Sequence, residues 1–347
     1  MSRRVAIIIP TLNEAAAIGP LLAQLARQPL ALVAEIIVAD GGSSDATRAI
    51  VTAAAQRDRR IRLLDNPSRI QAAGINVAVA AASRDADTLI RIDAHADYPD
   101  DYVPRIVAAF AATGADMVAT RLVTRGVTCT QRGIAAASNS KLGTGGAAHR
   151  VGGIAGFVDH GHHAGIDRAL FERIGGYDER FAANEDAEFD FRAREAGGRI
   201  WLATDIEVGY LPRATLARLF AQYRRYGRGR AMTWRKHGER LRLRQMIPPL
   251  AVVSIGLALL GALRWQPLLV VPALYLAAIA VATLDLLRRE PNRCTLVAGP
   301  AMVVMHFAWA IGFLGSLPTP VPKAMRPRNG HRGVLAVGSI TIGGKRP

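Results

Sequence analysis

The stretch EIIVADGGSSDAT, residues 35–47, contains the pattern that decides the fold of this chain. An apolar run ends abruptly at Asp40, a Gly-Gly-Ser-Ser turn follows, and Asp45 opens a segment of helical composition that reaches residue 57. A short apolar run bounded by a glycine-rich turn is typical of a buried β-strand. The stretch therefore predicts a strand that leads through a tight polar turn into a helix.

The same pattern recurs along the first hundred residues. Strands are predicted at 5–10, 61–66 and 88–93, and helices at 14–28 and 69–82. Strands that alternate with helices indicate an α/β fold with a parallel sheet covered on both faces, in which ligands bind at the carboxyl ends of the strands. Neither GxGxxG nor GxxxxGK[ST] occurs, so neither a dinucleotide site nor an ATP-hydrolysing P-loop is indicated.

Polar side chains follow the strand ends. The stretch LIRIDAHADYP, residues 89–99, places Asp93, His95 and Asp97 where a buried strand emerges from the sheet. Unpaired carboxylates and imidazoles are costly to bury, so these groups need water, a partner or a metal ion. Carboxylate oxygens suit Mg²⁺ and Mn²⁺, and Mn²⁺ also accepts imidazole. We therefore expect a divalent metal site with Asp93, His95 and Asp97 as ligands.

The positive charge of the chain is concentrated in one region. The formal net charge of the 347 residues is +16. It divides into about −2 for 1–212, about +10 for 213–244, about +2 for 245–317 and about +6 for 318–347. A nucleic-acid-binding domain would carry a basic face on its folded part, whereas charge beside apolar segments is typical of a membrane surface. Nucleic acid is therefore not expected as a partner.

Three apolar runs, about 247–263, 267–287 and 294–317, approach the roughly 20 residues needed to cross a bilayer. By the positive-inside tendency, the arginines in 213–244 place the entry to the first apolar run on the cytoplasmic side. Arg288-Arg289 place the turn after the second run on the same side. Three spans would place the basic tail outside, against the same tendency, so one run could instead be re-entrant or interfacial. Between arginines, 213–246 repeats apolar residues at helical spacing, which predicts amphipathic helices in the headgroup region.

Two further features indicate the compartment. Cys129 and Cys294 lie far apart and form no CxxC motif, so no disulfide framework is expected and a reducing environment is the default. The apolar run of VAIIIP after Met1 is shorter than the roughly 7–15 residues of a signal-peptide core. We interpret it as the first strand of a cytosolic domain.

The motifs together resemble a known family. PTLNE, VADGGSSDAT, DAH and NED resemble, in order and spacing, the inverting family 2 glycosyltransferases with a GT-A fold, over about 1–235. The stretches DAHADYPDDYV, LGTGGAAHR, VDHGHHA and FERIGGYDERF are similar to the ExoA-type proteins of succinoglycan and related exopolysaccharide synthesis. The resemblance implies a GT-A domain at 1–212, whereas the charge and hydropathy patterns predict interfacial helices at 213–246, a transmembrane region at 247–317 and a basic tail at 318–347.

The resemblance also implies roles for individual residues. Asp-Ala-His at 93–95 replaces the more usual Asp-x-Asp metal motif of the family. Asp186 is the expected general base and Glu185 the second candidate. Nucleotide-sugar binding is expected from Pro10, Thr11, Glu14, Asp40, Arg69, Asp93 and Arg225.

Two motifs leave alternatives open. His160, His162 and His163 could supply a further metal ligand or bind acceptor hydroxyls. Gln222-Tyr-Arg-Arg-Tyr-Gly-Arg occupies the place of the family QxxRW motif but has Tyr226 where Trp is usual, which argues against processive synthesis.

The expected function is inverting transfer of a sugar, with glucose favoured by the resemblance, from a UDP-sugar to a polyprenyl-diphosphate-linked glycan in exopolysaccharide synthesis. It implies a Mg²⁺- or Mn²⁺-dependent hexosyltransferase that contacts membrane lipid, multi-pass in a bacterial inner membrane, with its catalytic domain cytoplasmic. The alternatives are a polyprenyl-phosphate glycosyltransferase, a processive polysaccharide synthase, or an inactive membrane-bound sugar-nucleotide-binding assembly protein.

Overall fold

The computed structural model describes residues 3–239 and 241–318, with only the backbone of His163 and Ala164. Within these residues one nine-stranded sheet forms the centre of the amino-terminal part. Its strands are β1 Val5–Thr11, β2 Val33–Asp40, β3 Ile61–Asp65, β4 Thr88–Arg91, β5 Ala96–Asp97, β6 Met117–Thr124, β7 Gly156–Val158, β8 His162–Asp167 and β9 Ile200–Tyr210.

Helices cover both faces of this sheet and continue beyond it. They are α1 Ala15–Ala26, α2 Thr47–Arg57, α3 Gln71–Ala81, α4 Tyr102–Thr113, α5 Cys129–Ser138, α6 Lys141–Thr144, α7 Ala148–Val151, α8 Arg168–Arg173, α9 Glu185–Glu195, α10 Leu216–His237, α11 Leu243–Gly261, α12 Val270–Arg289 and α13 Ala298–Leu314. Short 3₁₀ turns at Gln266–Leu269 and Arg293–Val297 precede α12 and α13.

The sheet is mixed. Its strand order is β3-β2-β1-β4-β8-β6-β9-β5, with β7 paired to β9. The first four strands along the chain are parallel as expected, but β8 runs antiparallel between β4 and β6, so the prediction of a parallel sheet was too simple. In β1 and β2, Thr11 pairs with Asp40. Because these two strands end level, the loops that follow them meet at one edge of the sheet.

Two apolar layers hold the sheet, because successive side chains of a strand point to opposite faces. Along β1, Ile7 and Ile9 pack in the layer that contains α1, α2 and α4. The alternate residue Ile8 packs in the layer that contains α3, α8 and α9. All three isoleucines are almost fully buried. The continuous apolar run therefore serves two cores, as expected for a strand covered on both faces.

The carboxyl-terminal part contains three helices long and apolar enough to cross a membrane, at Leu243–Gly261, Gln266–Arg289 and Arg293–Leu314. They correspond to the three predicted runs. The basic region 213–246 differs from the prediction, because its centre is one continuous 22-residue helix, α10. The first apolar helix, α11, begins at Leu243, within the predicted interfacial segment. The predicted basic tail lies outside the described residues from 319 onward.

The two cysteines are joined. Cys129 at the start of α5 forms a disulfide with Cys294 before α13, with Cα atoms 4.9 Å apart. The prediction that the two cysteines form no disulfide framework was therefore wrong. The contact arises because α5 packs against the segment before α13, where a Cβ on Gly133 would lie only 2.4 Å from Val297 Cβ. A separation of 165 residues concealed this contact in the sequence.

Candidate active site

Three loops meet at the carboxyl edge of the sheet, and we call residues 11–14, 41–47 and 66–70 the rim loops. Their meeting point is Gly41, whose N–H donates to the carbonyl of Thr11 at 2.8 Å. A Cβ on Gly41 would lie 3.5 Å from Arg69 Cα. The ends of β1, β2 and β3 are thus brought together, as the strand pattern predicts.

Asp40 is the buried centre of the rim loops. Its Oδ2 accepts hydrogen bonds from the N–H groups of Gly42 and Ser43, each at 3.0 Å, and from Arg48 at 2.9 Å. Its Oδ1 accepts from the Ser43 hydroxyl at 2.5 Å. Burial alone would raise the pKa of Asp40, but the hydrogen bonds from Ser43 and Arg48 lower it. A ligand N–H would therefore reach this carboxylate by replacing the Ser43 hydroxyl.

The other residues predicted for the nucleotide lie around the same loops. Pro10 and Thr11 end β1, and the buried Thr11 hydroxyl has no hydrogen-bond partner among residues 3–239 and 241–318. The exposed Arg69 guanidinium lies beside Gly42, 3.3 Å from where a Cβ would be. Glu14 lies just before α1 and faces His95, its Oε1 2.8 Å from His95 Nδ1. The rim loops thus present a hydroxyl, a carboxylate and a guanidinium at one edge.

A buried arginine organises the second part of the site. Arg91 of β4 is 5% exposed, and its guanidinium contacts Asp186, Glu185 at 3.6 Å and Asp93 at 3.4 Å. These four residues, together with His162, are called the carboxylate cluster. Asp93 also accepts a hydrogen bond from Gln71 Nε2 at 2.9 Å. One cation thus draws the predicted metal ligand and both predicted bases together.

The shared arginine does not neutralise every acid of the carboxylate cluster. Burial opposes ionisation of Asp93, but the Arg91 charge and His162 hold the pKa of Asp93 well below its usual range. Burial and the neighbouring Asp186 charge raise the pKa of Glu185 to about 7, although Arg91 opposes this. At neutral pH the cluster therefore holds a proton that Glu185 can lose or regain.

His160 and His162, two of the three predicted histidines, contact different acids. His162 Nε2 lies 3.5 Å from Asp93 Oδ2, and His162 Nδ1 is buried without a partner in the described part of the chain. His160 instead contacts Asp190 of α9, with 2.5 Å between Nδ1 and Oδ2. The side chain of His163 lies outside what the structure describes. Of the two that are described, His162 belongs to the carboxylate cluster.

The predicted metal trio is not assembled. His95 is held by Glu14, which raises the pKa of His95 despite partial burial. Asp97 is 78% exposed, its Oδ2 lies 3.6 Å from Arg125, and its strand β5 pairs with β9. Across 3–239 and 241–318, no group of three or more His, Cys, Asp or Glu side chains is arranged to hold a metal. Asp97 is therefore not placed with Asp93 and His95.

The modified QxxRW segment lies on α10. Gln222 Nε2 donates to the hydroxyls of Tyr210 at 3.0 Å and Tyr226 at 2.8 Å. The Tyr210 ring lies 6.5 Å from the His95 ring. Arg225, predicted to bind the diphosphate, is on the exposed side of α10. Gln222 thus connects α10 to the sheet edge through Tyr210, a contact that sequence reasoning did not foresee.

Arg91 and Gln71 are the site residues that the sequence analysis missed. Arg91 carried a usable signal, since it is the one charged residue between Thr88 and Ile92 in a run that reads as a buried strand. A charged group in such a run is almost never buried without a partner. Gln71 carried no comparable signal, because glutamine near a helix start is common on exposed surfaces.

The geometry limits the chemistry of the site. Asp186 and Glu185 form a carboxylate pair of the kind that accepts a proton from a hydroxyl. The oxygens of Asp93 beside an imidazole suit a divalent cation. Glu14 of the rim loops contacts His95, which lies two residues after Asp93 of the carboxylate cluster. The rim loops and the cluster are therefore neighbours. The arrangement combines a polar loop edge, a charged carboxylate beside an imidazole and a pair of carboxyl groups.

Comparisons with known proteins identify the family of the chain. Residues 6–175 match the sequence model of the family described as Glycosyl transferase family 2. The succinoglycan biosynthesis protein ExoA of Rhizobium meliloti is 45% identical over 308 residues, which cover 88% of this chain and 93% of that protein.

A solved structure confirms the expected fold. The mannosyltransferase PcManGT from Pyrobaculum calidifontis, in complex with GDP-Man and Mn²⁺, superimposes with a TM-score of 0.61. The match covers 90% of this chain and 88% of that chain at 20% identity. At this identity the likeness establishes the GT-A fold alone.

Proposed function

The chain belongs to glycosyl transferase family 2, and from that premise we propose that it is an inverting glycosyltransferase of exopolysaccharide synthesis. It transfers one sugar, glucose being favoured, from a UDP-sugar to a lipid-linked oligosaccharide at the cytoplasmic face of a bacterial inner membrane. The likeness to ExoA along most of the chain supports the pathway. The observation that carries the chemistry is the carboxylate cluster, in which Arg91 joins Asp93 to Glu185 and Asp186.

Asp186 is the proposed base. Its ion pair with Arg91 favours the charged carboxylate, and its side chain is 20% exposed against 10% for Glu185. Glu185, whose pKa is raised to about 7, retains a proton for part of the time at neutral pH. A carboxylate that is both charged and reachable suits the acceptor hydroxyl better than its more deeply buried neighbour.

The proposed transfer is a displacement at the anomeric carbon of the donor sugar. The acceptor oxygen attacks the anomeric carbon and forms the new glycosidic bond, while the bond from that carbon to the diphosphate breaks. The hydroxyl proton goes to an oxygen of Asp186, and the bonding electron pair leaves with UDP. Attack from the face opposite the leaving group inverts the anomeric configuration. Arg91 fixes the position of Asp186 and limits its movement during the step.

A divalent cation is proposed at Asp93, although no three His, Cys, Asp or Glu side chains of the described residues are already arranged around one. The carboxylate of Asp93 is charged, His162 Nε2 lies 3.5 Å from it, and the other nitrogen of His162 is buried without a described partner. Asp93, His95 and His162 would hold Mg²⁺ or Mn²⁺, once His95 has exchanged its contact with Glu14. The bound ion would neutralise charge that develops on the leaving diphosphate.

The rim loops form the proposed nucleoside side of the donor site. Pro10, Thr11 and Glu14 line one wall, and Arg69 is placed to meet uracil or phosphate. Asp40 would accept the uracil N–H in place of the Ser43 hydroxyl. The unpartnered hydroxyl of Thr11 is a further polar group that the nucleoside could satisfy.

A basic cleft supports an anionic, lipid-linked acceptor. Arg194 and Arg230 share Glu239 at 3.1 and 3.2 Å, and Arg242 and Arg244 line the same cleft at the start of α11. Burial and the two neighbouring arginines lower the pKa of Arg230. Glu239 offsets part of this repulsion and Asp159 pairs with Arg242, so a diphosphate would compete with these two acids for charge-assisted hydrogen bonds. The cleft lies where the chain enters its apolar helices, so a polyprenyl diphosphate is the proposed occupant.

The alternatives predict different products. A polyprenyl-phosphate glycosyltransferase would use the lipid monophosphate directly, and a processive synthase would release long polymers. Two features argue against a processive synthase, namely the exposed position of Arg225 and the presence of Tyr226 instead of Trp. An inactive assembly protein would bind the sugar nucleotide without turnover.

The proposal is tested with full-length protein in detergent. A panel of radiolabelled UDP-sugars is offered with polyprenyl-diphosphate glycans, polyprenyl phosphate or no acceptor, with Mn²⁺ present. Transfer of a single labelled sugar to the diphosphate-linked glycan supports the proposal. Labelled polyprenyl phosphate or a long polymer would replace it with one of the two alternatives. Tight UDP binding without any transfer to any acceptor would indicate the inactive protein.

A further inference from the structure

The third apolar helix differs from the other two in what surrounds it. Half of its most apolar segment is buried inside the protein, against 17% for the first candidate span and 11% for the second. The first two expose leucines such as Leu257 and Leu274, each 65% accessible, as expected of helices that face lipid. The neighbours of α13 therefore decide where it lies.

The beginning of α13 packs against α5 and α6 of the catalytic domain. A Cβ on Gly133 of α5 would lie 2.4 Å from Val297 Cβ, directly before α13. Further along, His306 Nε2 donates to the carbonyl of Leu142 in α6 at 2.8 Å. Ala298, Ala301 and Met302 are fully buried in this contact.

The end of α13 packs just as closely against α10. A Cβ on Gly312 would lie 2.0 Å from the carbonyl oxygen of Arg224, and one on Gly227 would lie 2.0 Å from that of Trp309. The two helices thus touch backbone to backbone at two glycines. Beyond the helix, the carbonyl of Ser316 accepts a hydrogen bond from Arg235 at 2.9 Å.

The end of α10 is itself fixed to the catalytic domain. Lys236 Nζ lies 2.7 Å from Asp178 and 2.5 Å from Glu188 of α9. A Cβ on Gly229 would lie 2.4 Å from the carbonyl oxygen of Ala183, close to Asp186. The two ends of α13 therefore reach the same folded domain, one at α5 and the other through α10 at α9.

We infer that α13 does not cross the membrane but lies along its surface, between the bilayer and the catalytic domain. A spanning helix has its ends on opposite sides of a hydrocarbon core about 30 Å thick, and one folded domain cannot contact both. The chain beyond Pro318 then emerges on the side of the catalytic domain. The membrane-embedded element is the hairpin of α11 and α12.

Charge leads to the same conclusion independently. The helix α10, which runs alongside α13, carries the basic residues Arg218, Arg224, Arg225, Arg228, Arg230, Arg235 and Lys236. If α13 spanned the bilayer, these side chains would be carried toward hydrocarbon depth, where arginine and lysine are strongly disfavoured. At the surface the exposed ones, Arg218, Arg224, Arg225 and Arg228, face anionic lipid headgroups instead. The surface formed by α10 and α13 thus fits a membrane that contains acidic phospholipid.

The tail provides a third argument. It carries the basic residues Lys323, Arg326, Arg328, Arg332, Lys345 and Arg346. Three spans would place them across the membrane from the basic helix α10, against the positive-inside tendency. With α13 at the surface, both basic segments lie on one side.

Single cysteines test the inference in full-length protein. In a C129S/C294S background, Asp85→Cys reports on the catalytic domain, where the side chain is 74% exposed, and Asn329→Cys reports on the tail. A membrane-impermeant maleimide is applied to inside-out and right-side-out vesicles. Both cysteines should label in the same vesicles, at least tenfold more than in the opposite ones. Labelling of the two positions in opposite vesicles would overturn the inference.

A second measurement retains the native cysteines. Epitope tags placed before Met1 and after Pro347 should be accessible to antibody in the same vesicle population without detergent. Tags that are accessible in opposite populations would show that α13 spans. Retained sugar transfer in the tagged protein, and in the cysteine variants, confirms that the labelled molecules are folded.

Discussion

The rim loops and the carboxylate cluster lie side by side, yet they handle buried charge in opposite ways. Asp40 has four hydrogen bonds to its two oxygens, including one from Arg48, which also pairs with Asp65, and these bonds lower the pKa of Asp40. In the carboxylate cluster one guanidinium serves Asp93, Glu185 and Asp186, and Glu185 has a pKa of about 7.

The difference shows how one sheet edge can both bind and react. Groups that are already satisfied hold their geometry before a ligand arrives, which reduces the cost of ordering on binding. Acids that lack a full counter-charge can bind a cation or accept a proton from the substrate. Perturbed acids of this kind concentrate at functional sites. Changes in the rim loops should therefore affect affinity, and changes in the cluster should affect turnover.

Removal of the metal should have the largest effect, because the diphosphate leaves with charge that a cation must neutralise. Donor turnover should fall to background in EDTA and return with Mn²⁺ or Mg²⁺. The Asp93→Asn variant should remain inactive after metal is restored, whereas Asp97→Asn should recover, because Asp97 pairs with Arg125 instead. Full activity in EDTA would contradict the assignment of a metal to the cluster.

The contrast between Asp93 and Asp97 also illustrates what could be predicted from the sequence. Strand ends were predictable to within two residues for β1 to β4, since each apolar run stops at a turn signal. The alternation DAHAD, however, does not reveal which carboxylates turn inward. That depends on β5 pairing with β9, a contact between residues about 110 apart in the chain.

Loss of Arg91 should be the next largest effect. Without its charge the pKa values of the neighbouring carboxyls rise, so a larger fraction of the base is protonated at a given pH. Arg91→Gln should lower kcat/KM on the order of 10²-fold at pH 6.5 and less at pH 8.5. The reason is that the acid limb of the pH–rate profile shifts to higher pH. Arg91→Lys retains a cation and should keep the limb nearly in place. An unchanged limb in Arg91→Gln would show that Arg91 does not control the base.

Arg91 could not be predicted from the ends of strands, where binding residues concentrate, because it belongs to the apolar run of β4 itself. An arginine inside an apolar run indicates a buried partner, but not which of the chain's many acids it is. Long-range pairing likewise hid the contact of Cys129 with Cys294. Hydropathy alone cannot distinguish the surface position inferred for α13 from a third span, because a helix covered by α5 and α10 is as apolar as one covered by lipid.

Substitution of Glu185 should change how stability depends on pH. The pKa of Glu185 in the folded protein, about 7, lies above its ordinary 4.5, so the folded state binds this proton more tightly. The corresponding stability is present below about pH 4.5 and is lost as the pH rises through about 7. Glu185→Gln cannot ionise, so its melting temperature should exceed that of the wild type by a larger margin at pH 8 than at pH 5.

Thermal unfolding of both proteins in detergent at the two pH values checks this expectation. Glu195→Gln, at the exposed end of the same helix, is the matched control and should show no pH-dependent difference from the wild type. An equal difference for Glu185→Gln at both pH values would mean that Glu185 does not hold the extra proton.

The disulfide should have the smallest effect. Cys129 and Cys294 lie at a contact that Gly133 and Val297 already make, so the C129S/C294S variant should transfer sugar within about twofold of the wild type, as expected for sites remote from the reacting groups. Radiolabelled transfer under saturating donor checks this. A loss of tenfold or more would indicate that the bond positions α5 for catalysis.

The central claim, that the rim loops bind and the cluster reacts, is tested most directly by measuring UDP affinity and transfer rate on the same preparations of two variants. Asp186→Asn should lower kcat by about 10²–10⁴-fold while the calorimetric Kd for UDP stays within about threefold of the wild type. Asp40→Asn should weaken UDP binding by at least about tenfold, since one acceptor becomes a donor, while kcat at saturating donor falls much less. If Asp186→Asn transfers sugar at the wild-type rate, or if both variants lose affinity and turnover in the same proportion, the division between the two regions is wrong.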